Sequence, residues 1–351
     1  MPRVGTDVPP PVTTDRRPPP VFAPHHLVHR PETPEAFLLG STAPVRQSFA
    51  FSCELPARHP LFSDSAAPYH DLLLPVESLR EAALFVAQRY FRVPPKRHAV
   101  FASGTARITA VPPWRIADAG RSQVGLNLDV TPTDVVNGVP RGLECRASVS
   151  IDGAPCGEAG ARLVFLMPGV YMNHRAAGRR ESELTAGTSP GAPGGDAPAP
   201  VRVGRRSARN VLIRLSPGRD TGEVPGGNAD AEEHPGLTFA VDTGAAAGVL
   251  PGQAGQVPPA LLMEASRQTA LFAAGELYGF RPGPALLTGW EAVFRGFAEP
   301  DLPLFCTVAP VGTDSRPARD AAGRAVAGLQ LSFTQGRRVV AEISASVLQH
   351  I

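Results

Sequence analysis

The sequence has almost no lysine and little net charge. Lys96 is the only lysine in the 351-residue chain, every other basic side chain is arginine or histidine, and the net charge is +2. A chain this close to neutrality is not expected to bind nucleic acid or an anionic membrane through its charge. An anionic ligand would have to be held by Arg, His or backbone amides, because lysine is so scarce.

Long hydrophobic runs are also missing. The longest stretch without charge, 243–263, is interrupted by Gly, Pro and Gln. We therefore predict no membrane-spanning segment and no membrane partner. Residues 1–20 have no apolar run of the kind that a signal peptide needs. These absences predict a protein of the cytoplasm.

Cysteine is scarce and scattered. Cys53, Cys145, Cys156 and Cys306 form no Cys-x-x-Cys pair, and none has a histidine at zinc-binding spacing. Such thiols fit a reducing, cytoplasmic setting. The chain also has no Walker loop, no Gly-rich dinucleotide fingerprint and no G-x-S-x-G motif. The sequence therefore predicts neither a metal nor a cofactor, and it disfavours serine nucleophiles and nicotinamide chemistry.

Two stretches of low complexity divide the chain. Residues 1–26 are rich in proline and are expected to be disordered. Residues 176–202 become rich in Gly, Pro, Ala and Ser and are expected to form a linker. They leave two units of similar length, residues 27–175 and 203–351.

The two units share one motif. Glu77 and Arg80 in the first unit have the same spacing as Glu264 and Arg267 in the second, and each pair lies in an apolar helical pattern. Within 261–275 the second pair supplies the only charges. A helix that is apolar nearly all round is buried. The sequence therefore predicts an internal duplication around one buried helix per unit.

Each unit also ends in a hairpin signal. Asp152-Gly153 and Gln335-Gly336 lie between segments in which apolar and polar residues alternate. That pattern indicates antiparallel strands joined by a tight turn. A buried helix wrapped by an antiparallel sheet is the hotdog arrangement. We therefore predict an α+β fold, a tandem (double) hotdog.

The two Glu-x-x-Arg pairs are the first candidates for chemistry. Residues three apart share a helical face, and charges removed from water need partners. Buried ionisable groups often mark functional sites, although structural ion pairs and solvated pairs give the same sequence pattern. His59 and His70 precede the first helix and could line its N-terminal end. With Arg80 they are the candidate substrate-binding residues, and a structural role is the alternative for each histidine.

Five segments, taken in order, resemble one known family. They are LVHR (27–30), HPLFSD (59–64), HDLLLPVESLREA (70–82), VGRRSARNVLI (203–213) and PPALLMEASRQTA (258–270). The resemblance is to the A-factor biosynthesis hotdog family, the AfsA-type γ-butyrolactone synthases, from about residue 27 onward. It implies an acyltransferase that moves a β-ketoacyl group from acyl carrier protein to the hydroxyl of dihydroxyacetone phosphate. The resulting ester would cyclise to a butenolide phosphate.

The resemblance also implies catalytic residues. The family's Glu and Arg of the second helix fall on Glu264 and Arg267, and the Glu of the first helix falls on Glu77. A carboxylate in an apolar pocket can have a raised pKa and accept the hydroxyl proton. An arginine fork can bind a phosphate or stabilise an oxyanion. The chain departs from the family where an Asp-His-x-Pro-Gly-Met-like stretch would stand, since Gly255 and Gln256 occupy the Asp-His positions.

Two other classes of function stay open at this point. One is a hotdog dehydratase or thioesterase acting on thioesters of acyl carrier protein or CoA, and a dehydratase could combine His59 with Glu264. The other is a non-catalytic regulator that binds an acyl chain or a lactone. No basic recognition helix is evident, so such a regulator is not expected to bind DNA.

Overall fold

The computed structural model describes most of the chain. The described residues are 26–31, 46–54, 64–116, 122–185, 195–216, 236–244, 255–312 and 316–350, with the backbone alone in 26–31 and 53–54. The segment expected to be disordered, 1–26, lies outside them except for its last residue. His59 also lies outside the described residues.

The elements fall into two sets with the same order. The first unit contains β1 His26–Pro31, β2 Gln47–Glu54, α1 Leu73–Arg89, β3 His98–Ile108, β4 Gln123–Val136, β5 Val139–Ile151 and β6 Ala154–Leu166. Helix α2, Pro168–Thr185, follows it. The second unit contains β7 Ile213–Leu215, β8 Leu237–Val241, α3 Pro259–Tyr278, β9 Ala285–Phe294, β10 Leu304–Pro310, β11 Ala318–Arg319, β12 Ala325–Gln335 and β13 Arg338–Gln349. Short 3₁₀ turns occupy Pro112–Trp114, Pro200–Val203 and Ala208–Asn210.

One antiparallel sheet runs through both units. Its strand order is β1-β2-β4-β5-β6-β3-β9-β13-β12-β10-β8-β7, and the short β11 pairs with β12. The two units meet where β3 pairs with β9, in a register that places Thr105 opposite Glu291. From each edge to the centre, equivalent strands of the two units follow in the same order. This arrangement, with one helix after the second strand of each unit, confirms the predicted α+β tandem hotdog.

Helices α1 and α3 lie against the sheet, and α3 is the more enclosed. Pro259 suits the first position of α3, because its missing N–H would be unpaired there in any case. Gly279 ends α3 in the left-handed conformation, φ 69°. Every residue in 260–274 is buried, whereas α1 leaves Arg80 partly exposed and Phe85 exposed. Among the described helices, none has the length and apolar character required to span a bilayer.

The hairpins lie where the sequence predicts them, although the second turn is shifted by one residue, because Gln335 is the last residue of β12. Asp152 and Gly153 join β5 to β6 with φ of 49° and 80°, the positive values that a type I′ turn requires. Gly336 has φ 60° in the turn between β12 and β13. A third hairpin, through Asn137-Gly138, joins β4 to β5 and was not predicted.

The predicted start of the linker, residue 176, is wrong, because it lies inside helix α2. Residues 176–185 continue helix α2 instead of forming a low-complexity connection. The reason is local, because this stretch is rich in Ala, Arg and Glu, which favour helix. Residues 186–194 lie outside the described residues. The remaining unit boundaries stay a prediction.

Candidate active site

Four charged side chains meet in the interior, and we call them the four-charge cluster: Asp71, Arg205, Glu264 and Arg267. Their exposed fractions are 7%, 0%, 1% and 6%. Asp71 precedes α1 in the first unit, and the other three belong to the second unit. Two cations and two anions make the cluster neutral. It therefore joins the two units without leaving a net charge inside the protein.

Glu264 is surrounded by hydrogen-bond donors. Arg267 binds it through Nε and Nη2, both at 2.9 Å. Arg205 binds it through Nε at 2.9 Å and Nη2 at 2.5 Å. Gln268 adds its Nε2 at 2.6 Å. A carboxylate offers about four lone-pair sites, so these five hydrogen bonds leave Glu264 no acceptor capacity for a substrate.

The electrostatics of Glu264 differ from the sequence-based expectation. Burial by itself would raise the pKa of this carboxyl, but the charges and hydrogen bonds of Arg205 and Arg267 outweigh burial and lower the pKa to about 2. Burial would lower the pKa of Arg267, yet the charges of Glu264 and Asp71 raise it. The expected raised pKa of Glu264 is therefore wrong. At neutral pH Glu264 and Arg267 are therefore held in their charged forms.

A glycine lets the backbone approach the cluster closely. Gly204 has φ 72°, and a Cβ built there would lie 2.9 Å from Nη1 of Arg267. The neighbouring carbonyl of Val203 accepts a hydrogen bond from Nη2 of Arg267 at 3.2 Å. Across the unit boundary, the amide of Ala66 donates to the carbonyl of Gly204 at 3.1 Å. The Val-Gly-Arg sequence thus brings two groups to α3, the side chain of Arg205 and the carbonyl of Val203.

Asp71 connects the cluster to the start of α1. Its Oδ1 accepts a hydrogen bond from the amide of Leu73, the first residue of α1, at 3.0 Å. Its Oδ2 lies 3.0 Å from Nη2 of Arg205 and 3.3 Å from Nε of Arg267. The cluster therefore fixes the N-terminal end of the helix that carries Glu77 and Arg80.

The first Glu-x-x-Arg pair has a simpler environment. Arg80 donates to Glu77 from Nε at 2.9 Å and from Nη2 at 2.5 Å. Glu81 lies 3.8 Å from Nη2 of the same arginine. Glu77 is buried at 1% exposure, while the Arg80 side chain is 21% exposed. Burial opposes the charge of Arg80, but Glu77 outweighs it and raises the pKa of Arg80.

Arg80 lies on the wall of a cavity of about 780 Å³, which we call the inter-unit cavity. The cavity lies between α1, α2, the first turn of α3 and strands β3, β6, β9 and β13, so both units contribute to it. Its apolar lining includes Phe101, Leu262 and Phe294. Its polar lining consists of Arg80, His174, Glu181, Gln256, Arg295 and Arg338. This volume lies in the usual range of ligand sites, about 300–1,000 Å³.

A second groove, of about 860 Å³, contains none of the predicted site residues. It crosses the outer face of the sheet, where Thr105, Asn127 and Ser344 are among its lining residues. It is the larger of the two, but no residue of either Glu-x-x-Arg pair lines it, whereas Arg80 lines the inter-unit cavity. The inter-unit cavity is therefore the better candidate for chemistry.

Helix α2 covers the inter-unit cavity through polar contacts. Tyr171 donates its hydroxyl hydrogen to Oε1 of Gln256 at 2.9 Å. Arg175 donates to the carbonyl of Gly255 and to Glu299, with Nε at 3.2 Å from the carboxylate. Gly255 and Gln256 are the positions at which the family pattern has Asp and His. In this chain they therefore serve to hold α2.

The structure separates the residues that the sequence proposed together. Glu264 and Arg267 lie in the four-charge cluster, whereas Arg80 lines the cavity and the buried Glu77 is bound to Arg80 without lining the cavity itself. His70 does not line the cavity. Its amide donates to the carbonyl of Trp114, its Nε2 has no partner among the described residues, and burial lowers its pKa against the charge of Asp152.

Two cluster residues were missed by sequence reasoning. Arg205 lies in the VGRR stretch and Asp71 directly follows His70, so both were present in the quoted segments. Nothing in the sequence pairs them with Glu264. Their position beside family-like motifs was the only available signal.

Comparisons with known proteins place this architecture in a family. The model of the A-factor biosynthesis hotdog domain matches residues 12–167 and 198–349. A curated relative, the 2-oxo-3-(phosphooxy)propyl 3-oxoalkanoate synthase of Streptomyces coelicolor, is 26% identical over 289 residues, 82% of each chain.

Two solved structures resemble the chain more distantly. The 12:0-ACP thioesterase from Umbellularia californica is 10% identical, with a TM-score of 0.46 over 85% of this chain and 93% of that chain. An acyl-ACP thioesterase from Bacteroides thetaiotaomicron is 11% identical, with a TM-score of 0.45 over 85% of this chain and 97% of that chain. Scores this low support no argument about activity. The match to the family model does support a conclusion about the family, because it covers most of the chain in two segments, one for each unit. The chain belongs to the A-factor biosynthesis hotdog family.

Proposed function

We propose that this protein is an acyltransferase that moves a β-ketoacyl group from acyl carrier protein to the hydroxyl of dihydroxyacetone phosphate. The name of the Streptomyces coelicolor relative denotes the synthesis of an ester between a 3-oxoalkanoate and a phosphooxy-oxopropyl group. Transfer of a β-ketoacyl group to dihydroxyacetone phosphate makes an ester of that kind. The product would be a precursor of a signalling lactone.

The observation that carries the proposal is the inter-unit cavity, which is lined by Arg80, the hydrogen-bond partner of Glu77. Its volume of about 780 Å³ and its apolar walls suit an acyl chain, and its arginines suit a phosphorylated acceptor. Helix α2 covers the cavity. A site with little water favours acyl transfer over hydrolysis.

We assign the role of general base to Glu77. Among the described residues its hydrogen-bond donor is Arg80, through two bonds. A carboxylate can accept about four, so Glu77 retains capacity for the proton of the acceptor hydroxyl. The hydroxyl oxygen attacks the thioester carbonyl carbon and forms the ester C–O bond, the C–S bond breaks, and the carrier thiolate takes up the proton from Glu77, which restores the carboxylate. To Arg80 we assign the stabilisation of the negative charge on the carbonyl oxygen.

The catalytic roles of Glu264 and Arg267 stay a prediction, and the geometry favours an indirect form of it. Their donors and acceptors are committed inside the four-charge cluster. Through Asp71 the cluster fixes the first residue of α1. We therefore propose that Glu264 and Arg267 are positioning residues, which orient α1 and hence Glu77.

The test is to incubate the full chain with β-ketoacyl carrier protein, with and without dihydroxyacetone phosphate, and to analyse products by mass spectrometry. A phosphorylated ester or butenolide that needs the acceptor supports the proposal. Free acid formed without the acceptor indicates a thioesterase. In a parallel sample with β-hydroxyacyl carrier protein, an enoyl product indicates a dehydratase. Binding without any product indicates a regulator.

A further inference from the structure

Arg338, the first residue of β13, lines the inter-unit cavity with neutral partners. Its Nε donates to Oγ of Ser182 on α2 at 3.0 Å, and its Nη2 donates to the carbonyl of Phe297. Two carboxylates act on its charge from farther away, those of Glu181 and Glu299. Glu299 is already paired with Arg175. Within the described part of the chain, Arg338 thus has no carboxylate of its own.

The other arginines of the cavity wall provide the comparison. Arg80 is paired with Glu77, and Arg295 is paired with Glu342. Arg338 is partly buried without such a partner, and a charge removed from water is costly unless an opposite charge compensates it. Burial lowers the pKa of Arg338, and the two distant carboxylates do not offset it. The wall of the cavity therefore contains a cation without a directly paired carboxylate among the described residues, at a place where a ligand has room to bind.

Two glycines make space for this guanidinium. A Cβ built at Gly296 would lie 2.3 Å from Nη1 of Arg338, and one built at Gly178 would lie 2.9 Å from it. Gly178 lies inside helix α2, where glycine is less favourable than alanine. Neither hydrogen bond of Arg338 uses Nη1. The two glycines thus leave room for the guanidinium, and its Nη1 makes no hydrogen bond to the described residues.

We propose that Arg338 binds the phosphate group of a phosphorylated substrate in the inter-unit cavity. The inference rests on the proposed function, which supplies such substrates. Arg267, the arginine that the sequence suggested for phosphate, is committed to Glu264, Asp71 and Val203. An arginine fork matches phosphate oxygens with two parallel hydrogen bonds. The phosphate has two possible sources, the triose phosphate acceptor and the phosphopantetheine arm of the carrier protein.

A binding experiment tests the assignment without requiring turnover. Dihydroxyacetone phosphate and 4′-phosphopantetheine are titrated separately into the full chain by calorimetry. Arg338→Gln should weaken one of the two by about 10- to 100-fold, the effect of losing a charge-assisted hydrogen-bond pair. Arg338→Lys should recover only part of that affinity. Arg337→Gln, an exposed neighbour outside the cavity lining, should bind both ligands as the unaltered chain does.

The two sources give different patterns. A loss confined to dihydroxyacetone phosphate identifies the acceptor's phosphate, and a loss confined to 4′-phosphopantetheine identifies the arm's phosphate. Unchanged affinity for both ligands in a folded Arg338→Gln protein would overturn the inference. If the unaltered chain binds phosphate through Arg338 but makes no ester, the proposed function fails and this inference stands.

A second variant keeps the inference testable if Arg338→Gln does not fold. Gly178→Ala keeps the charge and favours helix, but its methyl group would displace the guanidinium. We expect the same ligand to bind several-fold more weakly, with the melting temperature maintained. Affinity equal to that of the unaltered chain would count against Arg338 as the phosphate ligand.

Discussion

The two Glu-x-x-Arg pairs occupy equivalent places in the two units and have different surroundings. Glu264 receives five hydrogen bonds, two of them from Arg205. From the described residues Glu77 receives two, both from Arg80, which also lines the inter-unit cavity. The duplicated units therefore contain the same Glu-x-x-Arg pair, but the residues around each pair differ. We propose that the closed pair holds the structure and that the first pair, whose Arg80 lines the cavity, takes part in chemistry.

Removing Arg205 should have the largest effect on stability. Arg205→Met leaves Glu264, Asp71 and Arg267 with a net negative charge in a buried place. Breaking a buried ion pair by removing one partner costs about 3–5 kcal/mol. The free energy of unfolding, measured by urea denaturation, should fall by that amount. A change below about 1 kcal/mol would show that the cluster is not structural.

Acid should weaken the second pair by a predictable amount. Because the folded-state pKa of Glu264 is lowered to about 2 from an ordinary value of 4.5, its contribution is fully present above about pH 4.5 and is lost as the pH falls toward 2. The shift corresponds to about 3 kcal/mol. Unfolding free energies between pH 7 and pH 3 should therefore fall more steeply in the unaltered chain than in Glu264→Gln. Equal slopes would contradict the lowered pKa.

Removing a contact that holds α2 should have an intermediate effect on the free energy of unfolding. Glu299 is buried, at 2% exposure, and pairs with Arg175 of α2. Glu299→Gln should lower the free energy of unfolding by about 1.5–3 kcal/mol, the usual range for a hydrogen bond to a charged group. Trypsin should also cut within α2 sooner than in the unaltered chain. Cleavage at an unchanged rate would mean that other contacts hold the helix.

The smallest effect on the free energy of unfolding is expected from breaking an exposed ion pair. Arg295 and Glu342 are 2.7 Å apart, with side-chain exposures of 58% and 43%. Surface ion pairs contribute about 0–1 kcal/mol because water and salt screen them. Glu342→Gln is therefore the matched control for Glu264→Gln in urea denaturation. A loss comparable to that of the buried variant would remove the contrast between exposed and buried carboxylates.

What could be predicted from the sequence depended on short-range signals. The ends of α3 at Pro259 and Gly279 follow from the backbone preferences of proline and glycine. The turn at Asp152-Gly153 follows from the preference of Asp-Gly for the positive φ values that this turn has. The repeated order of elements followed from the duplicated motif. These features need no knowledge of distant residues.

Features that depend on long-range contacts could not be predicted. Arg205 meets Glu264 from 59 positions away, and no local pattern encodes that contact. Together with Arg267, it reverses the sign of the pKa shift that burial alone would give to Glu264. The choice between the two pairs therefore required the structure.

The central claim is that Glu77 acts in chemistry and Glu264 in positioning. The most direct test measures single-turnover rate and unfolding free energy on the same samples of Glu77→Gln and Glu264→Gln. Glu77→Gln should lower the rate by about 10²–10⁴-fold, the usual contribution of a general base. Glu264→Gln should lower the unfolding free energy by about 3–5 kcal/mol, and its rate per folded molecule should fall by less than about 10-fold, short of a general base's contribution. A stable Glu264→Gln protein with a collapsed rate, beside a Glu77→Gln protein with a near-normal rate, would contradict the account.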